Sequence, residues 1–255
     1  MRKYTNEICL GLLVSLISLS SPATAELLIP EADFKEKVQR IAILPSRIQI
    51  ETSDDYAAAR RIDELVATKL EEAGVDIIPA SEFLEVEQAT ARTMGGSYDA
   101  FTGDRDMAKA KTINDLAIRE FERLHEFDAY LIASVVTTPS SFRGGRARWD
   151  GIEVKTKGSG GDLYGSLTAS SLKISVIDKT EADADYMVEQ TGIQLLLDMD
   201  GGFWKAARFV PVPLEERLTD EATNVRAVEA ALAPLIELIG TPVTTETAAT
   251  GGASE

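Results

Sequence analysis

His125 is the only histidine and Cys9 the only cysteine in 255 residues, which removes most side-chain chemistry at once. A zinc site needs several His, Cys or acidic ligands, and a Ser–His triad needs a histidine with a partner that orients it. His125 stands at the polar end of a predicted helix and reads as a surface or capping residue. Asp198-Met199-Asp200-Gly201-Gly202 has the acid-x-acid-Gly look of a calcium loop, but such a loop closes on a bidentate Glu at its twelfth position. That position here is Phe209, so a polar turn is the better reading. Gly144, Gly145, Gly158, Gly160 and Gly161 form neither Gly-x-x-x-x-Gly-Lys-Ser/Thr nor Gly-x-Gly-x-x-Gly between a strand and a helix, and they read as hairpin turns. No Ser-x-x-Lys stands in a place that would mark a nucleophile. The residues point away from an enzyme, and no catalytic residue, metal or cofactor is expected.

The most unusual local feature is Phe142-Arg143-Gly144-Gly145-Arg146-Ala147-Arg148-Trp149. Between residues 143 and 157, Arg143, Arg146, Arg148, Lys155 and Lys157 face only Asp150 and Glu153, a net of +3. The chain as a whole carries 26 basic and 42 acidic residues, a net of −16. A basic island flanked by Phe142 and Trp149 in so acidic a chain is a candidate recognition loop, because arginine and aromatic residues dominate interface anchors. The bland alternative is a solvated hairpin whose Trp149 covers a sheet edge. The overall acidity argues against binding nucleic-acid phosphates or anionic lipid.

Residues 1–25 have the pattern of a secretory signal peptide. Arg2 and Lys3 are the basic start, Ile8–Leu19 is apolar, and Ala23-Thr24-Ala25 predicts cleavage between Ala25 and Glu26. Cys9 precedes the apolar run and is not a lipobox cysteine. Cleavage would leave 24 basic and 41 acidic residues, a net of −17, in a thiol-free chain. The expected location is the periplasm or the cell exterior. No later apolar run is long enough to span a bilayer as a helix.

The elements that must position the basic island follow from periodicity. Residues 26–38 read as a short lead-in with Pro30 and mixed charge, Gln39–Leu44 as a buried strand closed by Pro45, and residues after the Thr52/Asp55 capping box as a helix to about Ala73. Gly74 ends that helix, and Val75–Ile78 is a second strand, so the chain opens with a βαβ unit and a parallel pair. Helices follow, the first capped by Ser81 and the second over Asp106–Glu126 with Ile113, Leu116, Ala117, Phe121 and Leu124 on its apolar face. Ala129–Val136 is the strongest strand, with Ile132 expected in the core. Residues 139–151 read as loop, Ile152–Lys157 as strand, and Leu163–Ile177 as a long strand whose change of apolar phase predicts a bulge near Ser170-Ser171. Tyr186–Leu197 returns antiparallel, 198–217 is irregular, and a helix spans Asp220–Ile239. The organisation is a signal over 1–25, one domain over 26–239 and a flexible tail over 240–255. The fold class is α/β (α+β), a mixed sheet with a βαβ start, a long antiparallel hairpin and flanking helices.

Four stretches carry a resemblance: Ile41-Ala42-Ile43-Leu44-Pro45, the Asp63-Glu64-Leu65-Val66…Leu70…Gly74-Val75 join, Asp128–Val135 and Leu172–Asp178. Their order resembles the α/β domain shared by the curli-secretion pore family, the N-terminal domain of the periplasmic TolB protein and the lipoprotein activators of penicillin-binding proteins. The resemblance implies a periplasmic protein that docks to envelope proteins. The chain departs from it in having no acylated mature cysteine and no lipid-facing segment of pore length, so a pore-forming role does not carry over. The function expected is a non-enzymatic adaptor or envelope-assembly protein, with Phe142, Arg143, Arg146, Arg148 and Trp149 as its contact. The alternative is a small-ligand binder or carboxylate-dependent hydrolase built on residues 198–217.

Overall fold

A computed structural model describes residues 26–99, 101–157, 163–180, 185–200 and 208–240. The proposed leader with Ala25, most of the tail, the Gly158/Gly160/Gly161 turn and Gly201-Gly202 lie outside the described residues. In chain order the first elements are β1 (Glu26–Leu27), α1 (Glu31–Lys37), β2 (Arg40–Ile48), α2 (Asp55–Glu72), β3 (Asp76–Ile78), α3 (Ala80–Thr93) and α4 (Met107–Leu124). There follow β4 (Ala129–Arg143), β5 (Arg146–Trp149), β6 (Ile152–Lys155), β7 (Tyr164–Asp178), β8 (Asp185–Leu195), β9 (Leu197–Asp200), β10 (Arg208–Pro211), a short 3-10 helix at Leu214–Glu216, and α5 (Glu221–Ile239).

The fold is a mixed α/β one, as expected. Its main sheet has the order β1-β8-β7-β4-β2-β3, with β5 added to β4 and β6 to β5. β2 runs parallel to both β3 and β4, while β4, β7 and β8 pair antiparallel. Asp54 caps α2 by accepting from the Ala57 N–H, and Gly74 follows with φ +74°, the left-handed turn-off that lets β3 fall in beside β2. The carboxylate of Asp128 accepts from the N–H groups of Gln39 and Arg40 at 3.0 and 2.9 Å, which ties the start of β2 to the start of β4.

Apolar residues bury both faces of this sheet. Ile41, Ile43, Leu131, Ala133, Ile174 and Val176 pack against α2 and α5 through Ile62, Val66, Leu70, Val228 and Leu232. On the other face, Ala42 and Tyr130 meet α3 and α4 through Phe83, Ala117 and Phe121. A third cluster lies further along the long strands, where Trp149, Ala147, Phe142, Leu167, Ala169, Leu195 and Met199 pack beneath the β5–β6 hairpin.

Several expectations are corrected. The lead-in holds two elements for which the sequence drew none: β1 joins the sheet beside β8, and α1 buries Phe34 completely. β2 passes through Pro45, and its register with β4 shifts between Leu44 and Arg47, an irregularity at which a proline is tolerated. Pro79, not Ser81, precedes α3. In α4 only Ile113, Ala117 and Phe121 are buried, while Leu116 and Leu124 are on the surface. Ile132 is half-buried, because the fully buried positions of β4 are its odd-numbered neighbours under α2 and α5. The expected loop over 139–151 is instead the end of β4, a Gly144-Gly145 turn and β5. The expected bulge at Ser170-Ser171 is present in the β7–β8 pairing, with its extra residue on the β8 side, where Ile193 is skipped between the Ser170↔Gln194 and Ser171↔Gly192 pairs. β7 itself pairs with β4 without interruption. Its apolar residues change phase because Leu167 and Ala169 face the third cluster, whereas Leu172, Ile174 and Val176 face α2 and α5.

Candidate functional site

The basic island is a piece of sheet. β4 and β7 pair along their whole length to Arg143↔Tyr164, and the two-glycine turn at Gly144 and Gly145 (φ +59° and +80°) sends the chain back as β5. Two left-handed residues in a hairpin loop match the twist of the strands they join. β5 and β6 are joined by a second such turn at Asp150 and Gly151 (φ +37° and +77°), and this one reaches β8. The Asp150 carbonyl accepts from the Gly192 N–H at 3.0 Å, and its carboxylate accepts from Ser171 Oγ and Gln190 Nε2. A Cβ at Gly192 would stand 2.5 Å from the Ile152 side chain and 2.6 Å from Trp149 Nε1, so only glycine allows the hairpin to lie this close.

Alternation along β5 sorts the candidate residues. Ala147 and Trp149 point inward, and Arg146 and Arg148 outward. Trp149 is 6% exposed, and its Nε1 donates to the Ser170 carbonyl at 3.1 Å. Phe142 is buried as well, against Gly165, where a Cβ would meet its ring at 2.8 Å. Both aromatic residues expected in the contact are therefore packing residues. Arg143, Arg146 and Arg148 are on the surface, as expected of a contact.

Register brings them together. Tyr164, Arg143, Arg146 and Lys155 stand directly opposite one another across β7, β4, β5 and β6, forming one exposed row. Two residues along, Ser166, Ser141, Arg148 and Glu153 form the next outward row. Glu153 accepts from both Arg146 and Arg148, which holds its carboxyl below the usual range. Arg143 has no ion-pair partner among the described residues. From these rows Ser141, Arg143, Arg146, Arg148 and Tyr164 line an open groove of about 860 Å³.

No family model matches the chain. No curated protein matches it either. Among solved structures, it is similar to a PelC dodecamer from Paraburkholderia phytofirmans, at 12% identity over 78% of this chain and 88% of that one, with a TM-score of 0.34.

Two contributors were not singled out in the sequence. Tyr164 is 82% exposed and Phe209 57% exposed; Phe209 packs edge-on to Phe142 at 6.4 Å and comes from the segment read as irregular. In that segment β9 and β10 pair antiparallel, so Asp198 lies in a strand and not in a turn. Its carboxylate is buried and accepts from the Met199 and Lys157 N–H groups at 2.7 and 3.3 Å. Among the described residues, no cluster of three His, Cys, Asp or Glu side chains could hold a metal ion. His125 ends α4, with its ring 4.5 Å from that of Phe121. No helix among the described residues is long and apolar enough to cross a membrane.

Proposed function

We propose that this chain is a non-enzymatic adaptor of the cell envelope that docks an acidic protein surface against the Tyr164–Arg143–Arg146–Lys155 row. The in-register row of cations carries the reading. Like charges directly opposite on antiparallel strands oppose pairing, and here three cations line up across adjacent strands with only Glu153 on the neighbouring row to offset them. Folding alone gives no reason for the row in a chain of net charge −16. An acidic partner would relieve the repulsion, and exposed Tyr164 adds the aromatic area that interface anchors use. Export to the periplasm follows from the Arg2–Ala25 pattern, and the resemblance to envelope-docking domains supports the same setting.

The test is capture of envelope proteins by the wild type and by Arg143→Ser/Arg146→Ser/Arg148→Ser. The triple variant should melt near the wild-type temperature and lose its partner, and moderate salt should mimic that loss, because exposed charge contacts are screened. Equal capture by the two proteins would remove the proposed surface. The intact mass of the native protein tests the setting, since a chain that begins at Met1 would contradict export with cleavage before Glu26.

A further inference from the structure

α2 and α3 lie on opposite faces of the sheet; β3 ends opposite Ala42 of β2, so beyond its carboxyl end the two helices flank the rest of β2, where Ser46 meets Asp63 of α2. Open α/β sheets take ligands in the crevice outside the carboxyl ends of their strands. Here the space between the two helices is a cleft of about 470 Å³ with Ala67, Leu84, Pro79 and Tyr56 among its walls. Asp63 of α2 also lines it and is only 8% exposed.

The two oxygens of Asp63 are used unequally. Oδ1 accepts from both the N–H and the hydroxyl of Ser46, which follows Pro45 where the β2 register shifts. Oδ2 has no hydrogen-bond partner among the described residues, and Asp63 is one of the residues that line the cleft. No cation reaches it in an ion pair among the described residues. Arg60 is exposed at the mouth, and the other charged groups there, Glu64 and Glu85, share the sign of Asp63. The N-termini of α2 and α3 favour anions, but Asp54 and Asp55 meet the first and Glu82 the second.

We propose that this cleft binds a primary ammonium group on a short aliphatic stem, the ammonium donating to Asp63 Oδ2 and the stem lying against Ala67 and Leu84. A free alkylamine and a lysine side chain of a partner present the same chemistry. A buried carboxylate lacking a counter-charge gains more from a cation than an exposed one does, since water screens the pair less. Glu64 and Glu85 add to the attraction, and Arg60 disfavours a second positive charge at the mouth. Protons compete for the same oxygen: burial holds the Asp63 carboxyl up at about 6, so binding belongs to neutral pH and fades in acid.

The test is an amide-shift titration of the full chain with n-butylamine at neutral pH. n-Butanol serves as the neutral control and N-acetyl-lysine amide as the protein-like probe. Butylamine should give saturable shifts at Asp63, Ala67 and Leu84, with butanol at least about tenfold weaker and Asp63→Asn weakened about as much. At about pH 5 the butylamine affinity should fall about tenfold as the carboxylate is protonated. Ala67→Leu narrows the cleft without touching the Asp63–Ser46 tie and should also abolish the shifts. Tighter binding of the lysine amide than of butylamine would identify a partner's side chain as the source; the reverse order would identify a free amine. Absence of saturation, equal binding of butanol, or undiminished binding by Asp63→Asn or Ala67→Leu would each overturn the assignment.

Discussion

Asp63 is where a single residue departs most from its ordinary chemistry. Its carboxyl sits up at about 6, because desolvation outweighs the two hydrogen bonds from Ser46. The unfolded chain titrates this group near 4, so between about pH 4 and pH 6 the folded state holds the proton more tightly. Stability therefore falls as pH rises through that window, by about 2–3 kcal/mol if the whole shift is realised. Asp63→Asn keeps an oxygen that accepts from Ser46 and removes the charge. The variant should match the wild type near pH 4 and exceed it by about that amount near pH 7. Glu189 is a second buried carboxylate raised by burial, with Oε2 unpartnered, and it is common to both proteins. The difference between the two denaturant-unfolding curves thus isolates Asp63. Parallel pH profiles would show that Asp63 titrates as a solvated acid. Nothing in the local sequence marks the site, because Asp63 occupies an ordinary helix position and meets Ser46 only when β2 lies under α2.

The β5–β6 hairpin is held at the scale of the element, by packing that alternation along the strands decides. Trp149→Ala should cost about 3–5 kcal/mol, since it empties the centre of the third cluster and removes the bond to the Ser170 carbonyl. Gly192→Ala should cost about 1–3 kcal/mol by pushing Ile152 and Trp149 away from β8. Combined, the two changes should cost less than their sum, because the truncated Trp149 no longer meets the new methyl. Full additivity in denaturant titrations would mean that the hairpin does not rest on Gly192. The sequence carries part of this. The βαβ start, α5 and the long β7 stand out by period, capping and terminal glycine. The far half of β4 does not, because Thr137-Thr138-Pro139-Ser140-Ser141 has no apolar alternation and is strand only through its register with Ser170–Ser166 of β7. The phase change in β7 is visible, but its cause is not. It reflects cores on opposite faces of one strand, which no local window contains.

For the whole molecule, the question is how a chain of net charge −16 presents a positive face. Arg143, Arg146, Arg148 and Lys155 are legible as an island of charge, so the cations of the proposed surface can be named from the sequence alone. Their arrangement depends on pairing: Tyr164 joins Arg143, Arg146 and Lys155 in one row by register across four strands, and Phe142 and Trp149 leave the surface because alternation turns them inward. Glu153 then becomes the informative residue, since among the described residues it alone pairs with Arg146 and Arg148. Glu153→Gln removes that counter-charge and leaves the cross-strand cations facing each other. The variant should melt somewhat lower, as unrelieved like charges on neighbouring strands require. Docking to an acidic partner should move the other way, several-fold faster and tighter at low ionic strength, with the gain lost as salt is raised past the screening range. A merely structural hairpin predicts a different pair of results, in which the weakened fold weakens capture as well. Melting temperature and association rate measured on the same preparation therefore separate the two: opposite signs belong to a docking surface, and a common sign to a solvated edge.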